Sequence, residues 1–250
     1  MFELTPGDRA DGGESPAPGP SLALQGKVNA HAARATGVAA TARRAVTVDE
    51  DGVTIVVDLQ RLGGGGGGGG GRGRGGGAGG GDGDGAGCVV WKAHAKGAMP
   101  LSGVTFQGES EEVFATVGCD PRGQLMVWDA RSKGNRPVHA ALGCVRGSAA
   151  PYLCVSSQPF NPEVFACGVS TGELLLWDVR AREVVHELQE QNRGGSGGGG
   201  TWGVAFHPRR PRHLFSCTGS GVLTKWYLPP EGQAMPSSSG FGGGGFGGGG

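Results

Sequence analysis

Four segments of the chain repeat the same order of apolar and polar positions. They cover residues 43–59, 112–131, 163–180 and 212–228. Each has a short run of apolar and β-branched residues, a small polar stretch that contains a glycine, and a second apolar run. This pattern is typical of two antiparallel strands joined by a tight turn, because glycine tolerates the positive φ that such turns need. The sequence therefore predicts four β-hairpins.

The predicted hairpins share a turn glycine and an anchor residue five positions further along. The turn glycines are Gly52, Gly123, Gly172 and Gly221, and the anchors are Val57, Trp128, Trp177 and Trp226. An aspartate follows each of the first three anchors, as Asp58, Asp129 and Asp178. We expect the anchors to pack between neighbouring sheets, where a large aromatic side chain buries the most area. The aspartates are expected to end the strands.

The spacing of the repeat indicates the fold. Trp128, Trp177 and Trp226 follow one another at intervals of 49 residues, and the segments 151–162 and 201–211 superpose at the same offset. Val57 precedes Trp128 by 71 residues, or by 46 once the glycine-rich stretch 63–87 is removed. A four-stranded propeller blade typically has about 40–45 residues. With an inner strand such as 203–206 and an outer strand such as 182–188, the pattern predicts an all-β, WD40-type β-propeller with about four blades visible.

Low-complexity segments set the predicted domain boundaries. Residues 1–26 are predicted to be disordered, 27–62 to form a WD-like blade and 88–229 to form further WD40 blades. Between them, 19 of the 25 residues at 63–87 are glycine, which indicates a linker or loop insertion. A smaller insertion occupies 194–200, and residues 230–250 form a Gly/Phe-rich tail. Long loop insertions lower the stability of a fold only slightly, because the entropy cost of closing a loop grows only with the logarithm of its length.

Composition narrows the class of partner. The 22 basic and 22 acidic residues balance, so we expect neither nucleic-acid binding nor attraction to an anionic membrane. The RGRGG run at 72–76 has too few arginines for more than weak contact with RNA. No apolar run approaches the roughly 20 residues of a membrane span, which predicts a soluble protein. The six cysteines are widely spaced, as expected of thiols in a reducing compartment.

No residue pattern indicates catalysis, a cofactor or a metal. The six histidines are scattered without zinc-ligand spacing, and the glycine tract lacks the strand, helix and Lys-Ser/Thr of a phosphate loop. Asp49, Glu50 and Asp51 fall where a hairpin turn is predicted, so an acidic turn is the simpler interpretation. Cys119 and Cys167, aligned at equivalent places in their repeats, are interpreted as small core residues. The sequence therefore predicts a protein that is not an enzyme.

Several segments carry a more specific resemblance. They are CDPRGQLMVWDARSKGNRP at 119–137, PYLCV at 151–155, GELLLWDVR at 172–180 and WGVAFHPRRPRHLFSCTGSG at 202–221. Together with 36–59, they resemble the small WD-repeat nucleoporin of the Y-shaped outer-ring complex of the nuclear pore. The resemblance implies a seven-bladed, non-catalytic scaffold propeller at the nuclear envelope. It would bind other outer-ring nucleoporins and support nucleocytoplasmic transport and mRNA export.

Two features depart from that family. About four blades are visible where the family has seven, which leads us to expect a fragment, a misassembled gene product or blades supplied from elsewhere. An isolated open arc would be only marginally stable, because its end faces lack neighbours. The tail carries two phenylalanine-glycine pairs, at 241–242 and 246–247, which we attribute to composition.

A second hypothesis concerns two arginines. The tetrapeptides WDAR at 128–131 and WDVR at 177–180 match the WDxR form found in substrate adaptors of cullin ubiquitin ligases. In such an adaptor Arg131 and Arg180 would lie exposed on one rim and form charge-assisted hydrogen bonds with an acidic groove of the ligase. The simpler alternative is that both arginines are solvated strand ends.

Overall fold

A computed structural model describes residues 27–63, 85–94, 99–120, 124–133, 136–142, 150–189 and 199–229 of the protein. These residues form four antiparallel sheets, in which consecutive strands are neighbours. Sheet 1 contains β1 (Ala35–Ala40), β2 (Arg44–Asp49), β3 (Val53–Asp58) and β4 (Val89–His94). Sheet 2 contains β5 (Leu101–Phe106), β6 (Val113–Gly118), β7 (Gln124–Asp129) and β8 (His139–Leu142). Sheet 3 contains β9 (Tyr152–Ser157), β10 (Val164–Val169), β11 (Leu174–Asp178) and β12 (Glu183–Leu188), and sheet 4 contains β13 (Thr201–Phe206), β14 (His213–Thr218) and β15 (Leu223–Tyr227).

This architecture confirms the predicted all-β fold with four blade-like sheets. The four segments singled out from the sequence form the β2–β3, β6–β7, β10–β11 and β14–β15 hairpins. Each sheet packs against the next one in chain order, through contacts of β1 with β5, β5 with β9 and β9 with β13. The first strands of the sheets therefore lie side by side, as the inner strands of propeller blades do.

Sheet 1 contains strands from both sides of the glycine-rich stretch. The strand β4 follows that stretch in the chain, yet it pairs with β3 from Val53↔His94 to Val57↔Val89. A helix α1 (Leu59–Gly63) and a 3-10 helix (Gly85–Cys88) connect the strands to its two ends. The first blade therefore includes residues of both the 27–62 and the 88–229 segments. The insertion lies inside a blade, between its third and fourth strands.

The core consists of layers between neighbouring sheets. Alternate residues of β11 contact opposite neighbours, because successive side chains of a strand point to opposite faces. Leu174 and Leu176 pack against Phe206 and Leu214 of sheet 4. Leu175 packs in the other direction, in a cluster with Val117 and Leu125 of sheet 2. Sheet 3 is thus covered on both faces.

One sequence alignment was wrong. Cys167 lies inside β10, where Phe165 pairs with Trp177, whereas in sheet 2 the pair Phe114↔Trp128 places Thr116 at the position of Cys167. Cys119 follows β6 and lies outside the strand. The hairpin between Phe114 and Trp128 in sheet 2 is two residues longer than the hairpin between Phe165 and Trp177 in sheet 3. The alignment of the two cysteines did not allow for these two residues, so it matched Cys119 with Cys167. Cys167 is fully buried, and Cys119 is half-buried.

Helices contribute little to the fold. Within the described ranges, no helix is long and apolar enough to cross a membrane. The predicted disordered segment 1–26 and the tail 230–250 lie outside the described residues, as do most of the insertions at 63–87 and 194–200.

Candidate docking site

The three anchor tryptophans occupy equivalent places, and each indole N–H has a hydrogen-bond acceptor. Trp128 Nε1 donates to Thr116 Oγ1 at 2.9 Å, and Trp226 Nε1 donates to Ser216 Oγ at 2.8 Å. In both sheets the acceptor lies on the neighbouring strand. Trp177 differs, since its Nε1 donates to the phenol oxygen of Tyr152 at 3.0 Å. Sheet 3 has Cys167 at the place where sheets 2 and 4 have a small hydroxyl residue. The Trp177 indole therefore needs a hydrogen-bond acceptor from another strand, which Tyr152 provides.

The anchors lie in the layers between sheets. Trp128 packs in a cluster built from sheets 1 and 2, Trp177 in the cluster of sheets 2 and 3, and Trp226 beside the cluster of sheets 3 and 4. Val57 takes the equivalent place in sheet 1, where Val28 and Leu62 cover it. The chain's own segments thus cover the part of this face around Val57, whereas Val38 on the same face is 70% exposed.

Trp91 is an anchor that the sequence analysis missed. It lies on β4, and its ring contacts Phe114 at a centroid distance of 5.5 Å and Trp128 at 5.7 Å, both edge to face. Such contacts add to the stability that area burial provides. The sequence repeat covers only the hairpins, and β4 lies beyond the glycine-rich stretch, so the repeat does not reveal Trp91.

The turn glycines lie where the chain reverses. Gly52, Gly172 and Gly221 have φ values of 78°, 94° and 82°, in the left-handed region that disfavours other residues. The amides of all three close their turns by bonding a carbonyl three residues earlier. Gly123, the fourth predicted turn glycine, lies outside the described residues.

The aspartates after the anchors cap the next turn. Asp178 Oδ1 accepts hydrogen bonds from the amides of Arg180 at 2.8 Å and Ala181 at 3.0 Å. Asp129 Oδ1 accepts from the amide of Arg131, and Asp58 Oδ1 accepts from the amide of Gln60. The short Asp side chain favours this local bonding over continuation of a strand. These residues therefore shape the loop after the third strand of sheets 1, 2 and 3.

The loops after the first and third strands of the sheets lie at one end of the propeller arc, which we call the arginine rim. Antiparallel strands alternate in direction, so these loops share an end, opposite to the glycine turns. Hydrogen bonds join the loops of neighbouring sheets. Gln107 Nε2 donates to the carbonyl of Pro162, and Gln158 Nε2 donates to the carbonyl of Pro211, both at 3.0 Å. The ion pair of Arg44 with Glu112 joins sheets 1 and 2 on the same rim.

Arg131 and Arg180 both lie exposed on the arginine rim, but their side chains differ. The Arg131 guanidinium binds Asp129 through Nε at 2.9 Å and Nη2 at 2.7 Å. This bonding lowers the pKa of the Asp129 carboxyl below its ordinary value. Within the described ranges, no side-chain hydrogen bond of Arg180 is found, and only its amide is bonded to Asp178. Of the two, Arg180 is the one whose guanidinium is available to a partner.

A cavity of about 610 Å³ opens at the junction of sheets 3 and 4. Phe160, Val185 and Leu228 provide apolar walls, and Asp178 and Arg212 add opposite charges. Phe160 is 54% exposed, which is unusual for so large an apolar side chain. The size and mixed lining suit an inserted side chain of a protein partner.

A buried polar cluster in sheet 1 was also missed. His31 Nδ1 lies 2.7 Å from Asp49 Oδ2, and His31 Nε2 lies 2.6 Å from Thr47 Oγ1. Asp49 Oδ1 accepts from the amides of Asp51 and Val53. All these contacts hold the β2–β3 turn and connect it to the segment before β1. Asp49 is therefore part of a structural turn, as the acidic-turn interpretation predicts.

The described side chains do not gather into a metal site, and two buried thiols are held in the protonated form. No group of three His, Cys, Asp or Glu residues within the described ranges could hold a metal ion. Burial raises the pKa of Cys154 to about 12 and also raises that of Cys167, so both thiols stay protonated at neutral pH.

Known proteins with similar sequences match part of the chain. Human nucleoporin Nup43 is 36% identical over 104 residues, which are 42% of this chain and 26% of the relative. Mouse nucleoporin Nup43 is 35% identical over the same length. A ribosome biogenesis protein WDR12 homolog of Chlamydomonas reinhardtii is 32% identical over 99 residues, which are 40% of this chain and 20% of that protein.

The aligned part thus spans about a quarter of the length of the Nup43 proteins. A search of protein-family models gave no match. The similarities and the four sheets together indicate a WD-repeat, nucleoporin-like protein.

Proposed function

We propose that the protein is a non-catalytic scaffold subunit of the outer ring of the nuclear pore. It would reside at the nuclear envelope, bind other outer-ring nucleoporins and support nucleocytoplasmic transport and mRNA export. The 36% identity to human nucleoporin Nup43 carries the proposal. The structure supports it, since the loops of the arginine rim and the cavity beside Phe160 offer surfaces for protein contacts.

The arginine rim is the docking surface that we favour for these partners. Its loops are joined by the bonds of Gln107 to Pro162 and Gln158 to Pro211, which hold neighbouring sheets at fixed spacing. A rim held in this way loses little conformational entropy when a partner binds. The cavity beside Phe160 provides a recess for an apolar side chain, with Asp178 and Arg212 at its border.

The alternative function, a cullin ligase adaptor, depends on Arg131 and Arg180. The bidentate contact of Arg131 with Asp129 uses two of the five guanidinium donors, so an acidic ligase groove would have to share Arg131 with Asp129. Arg180 fits the adaptor hypothesis without such competition. We therefore favour the scaffold function.

Affinity capture of the tagged full chain from cells distinguishes the two functions. We expect outer-ring nucleoporins in the captured material and tagged protein at the nuclear rim. The double variant Arg131→Ala/Arg180→Ala should retain these partners if they bind through the loops and the cavity. Capture of a cullin and its linker, lost in the double variant, would replace the scaffold function with the adaptor function.

A further inference from the structure

The loop between β13 and β14 gives one part of the arginine rim a strong positive charge. We call residues 207–212, with the sequence HPRRPR, the basic loop. Its three arginines, Arg209, Arg210 and Arg212, are all exposed. Within the described ranges, none of them forms an ion pair with a carboxylate, so their charge is available to a partner. The described arginines that do form such pairs are Arg34, Arg43, Arg44, Arg61 and Arg131.

The backbone of the basic loop is held in one conformation. The amide of Arg209 donates to His207 Nδ1 at 3.0 Å, and the amide of His207 donates to the carbonyl of His213 at 2.9 Å. Pro208 and Pro211 fix their own φ angles because of their rings. A loop held in this way loses little backbone entropy when a partner binds to its arginines.

The charge changes sign along the rim. The loop after the first strand of sheet 2, at 107–112, has three glutamates and no basic residue. The corresponding loop of sheet 3, at 158–163, has one glutamate, and the basic loop of sheet 4 has no acidic residue. A nucleic-acid strand carries a uniform negative charge, so the glutamates of the neighbouring loops would repel it. A peptide can present carboxylates to the basic loop alone.

An exposed aromatic side chain lies beside the basic loop. Phe160 belongs to the loop of sheet 3 and is more than half exposed. Gln158 of the same loop donates through Nε2 to the carbonyl of Pro211 at 3.0 Å, and Phe160 and Arg212 line the same cavity. Aromatic and arginine side chains are the residues most enriched at the centres of protein interfaces. Phe160 therefore offers apolar contact next to the positive charge.

Arg182 adds a positive charge on the side of sheet 3. It lies exposed in the turn between β11 and β12, with a φ of 61°. Among the described residues, no other non-glycine residue has a positive φ. A glycine would adopt this conformation with less strain, and residues kept in strained conformations cluster at functional sites. The strand β12 that follows also lines the cavity, through Val185 and His186.

We propose that the basic loop binds an acidic peptide segment of a protein partner. Aspartates or glutamates of the segment form charge-assisted hydrogen bonds with Arg209, Arg210 and Arg212. An apolar side chain of the segment packs on Phe160, and Arg182 attracts the segment from the side of sheet 3. The partner is therefore recognised by a run of carboxylates followed by an apolar residue.

Binding at the basic loop rests on the docking role that we propose for the arginine rim. A second copy of the chain is disfavoured as the partner, because its Glu111 and Glu112 already pair with Arg43 and Arg44. Peptide binding to the purified protein does not depend on where the protein resides in cells. A failure of the peptide test would thus leave the nuclear-pore function standing, and loss of the nuclear rim signal would leave the peptide site standing.

The test measures the binding of two labelled peptides to the purified full chain. The acidic probe has the core Asp-Glu-Asp-Gly-Leu-Phe, and the neutral probe has the core Asn-Gln-Asn-Gly-Leu-Phe, which has nearly the same shape. At low salt we expect the acidic probe to bind about fivefold more tightly, as about three exposed charge pairs predict. The difference should shrink to about twofold in about 0.5 M salt, because exposed charges are screened.

Substitutions separate the charged contacts from the apolar one. Arg209→Glu/Arg210→Glu should remove the preference for the acidic probe. The matched control Lys92→Glu/Lys133→Glu makes the same change of net charge at exposed positions outside the basic loop and should keep the preference. Phe160→Ser should weaken the binding of both probes by the same factor, about threefold, because both contain the apolar residues.

Arg182→Gly separates binding from folding. Glycine adopts the left-handed turn readily, so the unfolding midpoint should not fall. The affinity for the acidic probe should decrease about twofold, and the affinity for the neutral probe should stay the same. An unchanged affinity for the acidic probe would contradict the part of the proposal that concerns Arg182.

Three results would overturn the proposal. The first is equal binding of the two probes, or binding of neither, to the unaltered protein, a comparison that needs no variant. The second is a single-stranded oligonucleotide that binds more tightly than the acidic probe and is lost in Arg209→Glu/Arg210→Glu, which would favour nucleic acid as the partner. The third is a dimer in sedimentation that the same variant dissociates, which would favour a second copy. Circular dichroism checks that each variant remains folded.

Discussion

Trp177 and Tyr152 form a buried hydrogen bond between strands that are not neighbours. The indole Nε1 donates to the phenol oxygen at 3.0 Å, and both residues are at most 3% exposed. The bond joins β11 to β9 across β10 and closes the layer between sheets 2 and 3. It takes the place of the Trp128–Thr116 bond of sheet 2.

Tyr152→Phe should therefore destabilise the protein with little change in shape. The ring remains, but the buried indole N–H of Trp177 loses its acceptor, which costs about 1–3 kcal/mol. Urea unfolding followed by tryptophan fluorescence measures the change. The control is Tyr227→Phe, whose hydroxyl is exposed and should change the unfolding free energy by less than about 0.5 kcal/mol. Equal midpoints for the two variants would contradict the structural role of the bond.

Gly168→Ala should loosen the contact between sheets 3 and 4. A Cβ at Gly168 would lie 2.5 Å from both Cys154 Sγ and the carbonyl oxygen of Thr201, closer than atoms can pack. Backbone atoms cannot move aside cheaply, and the expected cost is about 1–3 kcal/mol. Gly87→Ala is the matched control, because nothing lies within 4 Å of its Cβ position. A thermal midpoint for Gly168→Ala equal to that of Gly87→Ala would show that the sheets are not packed this closely.

Asp178→Ala should destabilise the turn after β11 by about 1 kcal/mol, because the amides of Arg180 and Ala181 lose their acceptor. Asp178→Asn retains a side-chain carbonyl at that place and should cost less than half as much. Chemical unfolding of both variants gives the comparison. Equal losses would show that the charge, and not the turn bonding, is what Asp178 contributes.

The cysteines should differ in reactivity. Cys217 is exposed, whereas burial raises the pKa of Cys154 to about 12. At pH 8 iodoacetamide should modify Cys217 within minutes and leave Cys154 and Cys167 unmodified until the protein unfolds, because the thiolate is the reactive form. Peptide mass spectrometry measures each site. Rapid modification of Cys154 in the folded protein would contradict its burial beside Thr201.

The same shift predicts how stability depends on pH. In the unfolded chain the Cys154 pKa returns to its ordinary value of 9.0, below the folded value. The folded state therefore binds the proton more tightly, and this contribution is present below pH 9 and is lost as the pH rises from 9 toward 12. Cys154→Ser should reduce the loss of stability between pH 8 and pH 10. An unchanged slope would show that other groups control alkaline unfolding.

Local features could be predicted from the sequence, whereas contacts across sheets could not. The Gly172 turn and the Trp177 anchor lie five residues apart. A turn glycine and the apolar pattern of one strand are therefore enough to predict both. The His31–Asp49 contact spans 18 residues and depends on how the segment before β1 folds back. Trp91 follows the glycine-rich stretch, so the sequence pattern does not show that it belongs to sheet 1.

The position of the full chain in living cells tests the central claim most directly. A fluorescent fusion of the protein should form a continuous rim at the nuclear envelope, coincident with an outer-ring nucleoporin, and should recover slowly after photobleaching, as a scaffold subunit does. A diffuse distribution through nucleus and cytoplasm, with recovery as fast as that of a free protein of the same size, would contradict the proposed scaffold function.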